Sequence, residues 1–171
     1  DQTRSESLIS GADAVIESYL EIENNFFFGR WKSSELNAGH FVEAVRRLLE
    51  LELFGKSTPF NKKIKSFTDQ TLLSYENAKH IEESYRILIP RVLKATYNLR
   101  NKRGVAHKGM INPNKMDATY ILYSVKWVLA ELIRLNSNYT VEESQNLIDK
   151  IISRNLEILW KTNSYTRILD T

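Results

Sequence analysis

Three features of the sequence predict an all-α helical bundle of about five to six helices. Apolar residues recur at spacings of three and four along most of the chain. Capping residues stand before several of those runs, and glycines or an Asn-Pro-Asn turn separate them. At 171 residues, with 42% hydrophobic and 26% charged, the chain has the length and balance of an ordinary folded domain with one sizeable core. The expected organisation is one domain over residues 1–160, followed by a tail, 161–171, that leads to a further domain. The start at Asp1 rather than Met is expected to reflect trimming.

The first helix is predicted over about Ser5 to Phe27, with Leu8, Ala12, Val15, Ile16 and Tyr19 on one face and Gly11 a minor flaw within it. Phe26-Phe27-Phe28 closes it and reads as core or dimer packing rather than a base-stacking platform. A second helix should follow Ser33 or Ser34 as cap and stop at Gly55. Phe41, Ala44, Val45, Leu48 and Leu49 make its buried face, with Glu43, Arg46, Arg47 and Glu50 outward. Residues 56–68 are polar and basic and read as a connector. Thr68-Asp69 then caps a short helix through Leu72, Leu73 and Tyr75.

From about Asn77 the positions Ile81, Tyr85, Leu88, Val92, Thr96 and Leu99 repeat at helical spacing. Pro90 removes one backbone donor and restricts its predecessor, so a kink near 86–89 or a fresh helix opening at Pro90 is predicted. Beyond the turn at Asn112-Pro113-Asn114, Met116 to Leu135 reads as a central helix, apolar nearly all round. Thr140-Val141-Glu142-Glu143 fits the capping box of a last helix reaching about Trp160.

Composition narrows the chemistry. The chain has no cysteine, which excludes disulfides, a thiol nucleophile and thiolate metal sites, and is compatible with a cytoplasmic location. No run of about twenty apolar residues is present, so no membrane span is expected. His40, His80 and His107 are far apart and lack metal-ligand spacing, and no motif assembles a hydrolase triad. No metal and no cofactor are therefore expected. The formal charge of +3 is mild, but the segment from Arg91 to Lys115 carries seven Lys or Arg and no Asp or Glu.

Within that segment Arg100, Asn101 and His107 are the chemistry-bearing residues. Arg100 offers a planar cationic fork for phosphate, and His107 can exchange a proton near neutral pH. Asn101 can orient either one, and Lys94, Lys102, Arg103 and Lys108 can collect a nucleic-acid backbone. Beside a phosphodiester with a neighbouring hydroxyl, which RNA has and DNA lacks, the set would act as clamp, proton carrier and positioner. The same residues also fit a plainer account, a helix end favoured by basic side chains and followed by an ordinary loop histidine. In an unbroken helix Arg100 and His107 would share a face about 10 Å apart, and Gly104 allows a bend that closes the gap.

The run Arg100-Asn101, six residues counted through Ala106, then His107, resembles the signature of the HEPN superfamily, an Arg with a polar neighbour preceding a His. The resemblance implies a helical bundle that usually forms homodimers, pairing two motifs in one composite site. It further implies metal-independent endoribonuclease activity of the kind found in toxin–antitoxin, abortive-infection and CRISPR-associated defence. Arg100 and His107 would be the catalytic pair and Asn101 their support. A subset of the family carries Tyr two residues after the His as a target for nucleotide modification. This chain has Gly109 there, so that regulation is not carried over. The implied partners are RNA, a second copy of the chain and an antitoxin or regulatory domain. A catalytically silent module that binds RNA or nucleotide, senses, or dimerises within a larger protein is the alternative.

Overall fold

A computed structural model describes residues 2–103 and 111–150. Their regular structure is all helical, with no strand among them: α1 (Gln2–Phe27), α2 (Trp31–Phe54), α3 (Asp69–Glu76), a π-helical turn at Ser84–Leu88, α4 (Ile89–Lys102) and α5 (Lys115–Leu135). Residues 141–150 are also helical. The chain divides into two compact units, Asp1–Val128 and Leu129–Thr171, and the division falls within α5.

In the first unit α1 and α2 form an antiparallel hairpin. The chain reverses at Gly29, whose φ of 66° is open to glycine without strain. Arg4 at the start of α1 donates to the carbonyl of Leu51 at the end of α2, at 3.2 Å. Between these ends Val15, Tyr19 and Ile22 of α1 are buried, as are Phe41, Val42, Val45 and Leu49 of α2. Each such side chain contributes about 1.5–3 kcal/mol on burial. Gly11 is not a flaw, because it lies where the helices touch. A Cβ added there would stand 2.4 Å from Leu48 Cδ2. Leu8 and Ile16, expected on the buried face, are 48% and 41% exposed, and the stripe runs instead through Gly11, Val15, Ser18, Tyr19 and Ile22.

Helix α2 opens at Trp31, ahead of the predicted serine cap, and Ser34 is buried inside it. Trp31 packs on Phe26 with ring centroids 5.6 Å apart, while Phe27 and Phe28 are half exposed and are not core. The helix ends as predicted at Gly55, with φ 74° and its N–H bonded to the Leu51 carbonyl. Arg46 and Arg47 overturn the expected polar face, for both are buried, at 2% and 6% exposure. Aromatic rings make this possible: Arg46 stacks 4.4 Å from the centre of Phe67, and Arg47 4.9 Å from that of Phe60.

The connector, residues 55–68, is held down by buried Ile64 and Phe67. Thr68 caps α3 by accepting from the Thr71 N–H at 3.2 Å. Ahead of Pro90 the chain forms one π-helical turn, and α4 then opens with Pro90 in its first turn. Two buried positions fall one residue later than the sequence predicts, Ile89 for Leu88 and Leu93 for Val92. Tyr85, Ile89, Leu93 and Thr96 are buried, whereas Leu88, expected in the stripe, is 46% exposed.

Helix α5 has an outer side as well as an inner one. Ala118, Ile121 and Val125 are buried, but Met116 and Tyr123 are 74% and 65% exposed. Asn114 starts the helix, accepting from the Asp117 N–H at 3.0 Å.

In the second unit Asn136 donates to the Leu132 carbonyl at 2.8 Å as α5 ends. The capping box forms as the sequence predicts. Thr140 N–H donates to Glu143 at 2.7 Å, and Glu143 N–H donates to Thr140 Oγ1 at 3.2 Å.

Replacing Gly11 by Val should push α1 off α2 and lower stability by about 1–3 kcal/mol. Chemical denaturation measures this, and Gly11→Ala should cost less because the atom in the way is a leucine tip.

Candidate functional site

Arg100 occupies the last turn of α4, and its side chain lies against α2 at Gly39. A Cβ on Gly39 would meet Arg100 Nε at 3.2 Å and Cζ at 3.5 Å. Glycine inside a helix costs about 1 kcal/mol relative to alanine. Here it leaves a shelf on which the guanidinium rests. Arg100 Nη1 donates to Asn101 Oδ1 at 3.0 Å, and among the described residues Arg100 forms no ion pair.

The acidic side of the site comes from outside the motif. One turn before Gly39 on α2, Glu35 is 4% exposed, and its Oε1 has no hydrogen-bond partner among the described residues. Asp117, in the first turn of α5, is equally buried but well held. It accepts from Arg103 Nε at 2.7 Å and from Asn114 Nδ2 at 2.7 Å.

These surroundings raise the pKa of the Glu35 carboxyl from 4.5 to about 7. Burial is the main cause, the negative charge of Asp117 adds to it, and Arg103 and Arg100 oppose it. Glu35 thus titrates near neutrality within electrostatic reach of Arg100, which forms no ion pair among the described residues. Only its ionised form is attracted to the charge of Arg100.

Of the residues singled out in the sequence, Arg100, Asn101, Lys102 and Arg103 lie together at the end of α4, with three different tasks. Arg100 rests on Gly39. Arg103 is committed to Asp117, and Asn101 and Lys102 are exposed. Lys94 is not brought to Arg100. Its ammonium donates to the Phe67 carbonyl, lies 3.8 Å from Asp69 and stands over the rings of Phe67 and Tyr97. His107 and Lys108 lie outside the described residues. His40 is exposed on α2. Among the described residues no group of three or more His, Asp or Glu is placed to hold a metal ion. No described helix is long and apolar enough to cross a membrane.

Glu35 escaped the sequence reading because the segment around Arg100 contains no acid and the carboxylates arrive from other helices. A usable signal was present in Glu35-x-x-x-Gly39, an acid one turn from a glycine in an otherwise unbroken helix. Beside the site, Leu99, Met116 and Tyr120 line a shallow apolar groove between α4 and α5, with Asp117 and Lys102 at its edge.

No protein-family model, curated protein or solved structure matches this chain.

The raised pKa makes stability depend on pH. Folded Glu35 keeps its proton where the unfolded chain has lost it, so this contribution is complete below about pH 4.5 and lost as pH rises through about 7. Between pH 5 and 8 the parent should lose on the order of 3 kcal/mol relative to Glu35→Gln. Paired urea titrations across that range measure the difference, and a constant gap would contradict it.

Proposed function

We propose that the chain is a metal-independent endoribonuclease of HEPN type, acting on RNA in a composite site made by two copies. The observation that carries this reading is Arg100: a motif arginine seated on a glycine shelf, oriented by Asn101, with no ion-pairing carboxylate among the described residues. A cation kept free in this way suits an anionic phosphate whose charge grows in the transition state.

In the reaction a ribose 2′-hydroxyl attacks the adjacent phosphate. As the new P–O bond closes a 2′,3′-cyclic phosphate the hydroxyl gives up its proton, the bond to the 5′-oxygen breaks, and the leaving oxygen takes a proton. Arg100 stabilises the charge on the phosphate and His107 moves the proton. Glu35 is a second proton carrier within the same cluster, acting close to neutral pH. Lys102 and Lys108 attract the RNA backbone, and Arg103 fixes the end of α4 through Asp117. The half-exposed Tyr120 and strongly exposed Met116 on α5 give the homodimer an apolar surface next to the motif. A defence setting, as toxin or abortive-infection effector with an antitoxin or regulatory domain, suits an enzyme whose site is completed by assembly.

Cleavage of a labelled mixed-sequence RNA in EDTA tests the reading. The parent should yield cyclic-phosphate ends, and Arg100→Ala and His107→Ala should each lower the rate at least about a hundredfold. Glu35→Gln should keep part of the activity and flatten its pH profile around 7. Unaltered cleavage by the Arg100 or His107 variant, or strict dependence on a divalent ion, would refute the proposal. A folded, dimeric parent that binds RNA without cutting it would favour a silent binding or sensor module.

A further inference from the structure

The far half of α2 faces a second cavity whose features the RNA-cleavage reading does not use. It has a volume of about 850 Å³ and lies between α2, the connector and α3. Pockets for small organic ligands span roughly 300–1,000 Å³, so the space suits an organic molecule better than a bare ion. Arg46, at its floor, is 2% exposed. Its Nε donates to the Tyr75 hydroxyl at 3.4 Å and its guanidinium stacks on Phe67, yet it forms no ion pair among the described residues. Burying a cation without a counter-ion is costly, and a bound anion would relieve that cost.

Charge around the opening points the same way. Lys56, Lys62 and Lys65 join Arg46 in lining the cavity, against one carboxylate, Glu50. That carboxylate is already engaged, accepting from the Thr58 N–H at 2.7 Å. On the wall formed by the end of α2, Phe54 is 51% exposed, and its ring centre lies 6.0 Å from that of Tyr75. A buried guanidinium, lysine ammonium groups and an open aromatic face are the elements that bind a phosphate and stack a base. Arg46 is seven residues beyond Gly39 on the same helix, so this place lies about 10 Å farther along its axis than the Arg100 shelf.

We propose that this cavity binds a nucleoside phosphate, with the phosphate on Arg46 and the lysines and the base against Phe54. The ligand is either a free nucleotide or one unit of a single strand. Two probes separate these sources: ATP by calorimetry, and a 2′-O-methyl oligo(A) hexamer, which cannot be cleaved through its 2′ position, by fluorescence anisotropy. The result does not depend on ribonuclease activity. Binding of ATP assigns a free-nucleotide site, and binding of the hexamer alone assigns a strand site. In either case the Lys62→Glu/Lys65→Glu double variant and Phe54→Ala should each weaken binding about tenfold. Arg30→Glu, at the opposite end of α2, should leave it unchanged. Arg46→Met should abolish binding if it folds, and the surface variants decide the matter if it does not. Three results overturn the proposal: no binding of either probe at millimolar concentration, binding that ignores the lysine and Phe54 variants, or inorganic triphosphate binding as tightly as ATP.

Discussion

Helix α2 buries charge, and its neighbours are arranged to make that tolerable. Glu35, Arg46 and Arg47 are each less than 7% exposed. A buried ion is stable only with compensating groups close by. Arg47 donates to the Glu43 and Lys62 carbonyls at 3.3 and 3.0 Å and lies over Phe60. Arg46 takes Phe67 and Tyr75, and Glu50 takes the Thr58 N–H. The connector is therefore ordered by its obligations to α2 despite having no helix of its own. Lys94 adds a tie from α4, through the Phe67 carbonyl.

At the other end of α2 the compensation is deliberately incomplete. Arg103 and Asp117 satisfy each other, with Asn114 completing the carboxylate's bonds. Glu35 and Arg100 are left beside this closed pair, one holding its proton to about neutrality and the other without a carboxylate partner among the described residues. Groups kept partly unsatisfied near a surface are the usual material of binding and catalysis. The ribonuclease proposal rests on that imbalance together with the Arg100-Asn101 motif.

Helix existence was legible from the sequence because it depends on local signals. Gly55, Thr68, Pro90 and the Thr140 capping box all act where they stand. Faces were harder to read. Arg46 and Arg47 look like solvent residues until the rings of Phe67 and Phe60, distant in sequence, are brought over them. Leu88 was misplaced because steps of three and of four fit the sequence equally well there, and Ile89 takes the buried position. The candidate site divides in the same way: Arg100 and Asn101 could be found within one segment, whereas Glu35 and Asp117 join them only through packing.

The π-turn at Ser84–Leu88 also determines where α4 aims. Each residue of an α-helix turns the chain by about 100°, so one residue more or less upstream swings everything downstream around the axis by that angle. Tyr85 is anchored in the core before the turn is complete, and Arg100 meets Gly39 three turns after it. The turn is an angular offset that begins at the core's anchor and ends well short of the site's cation.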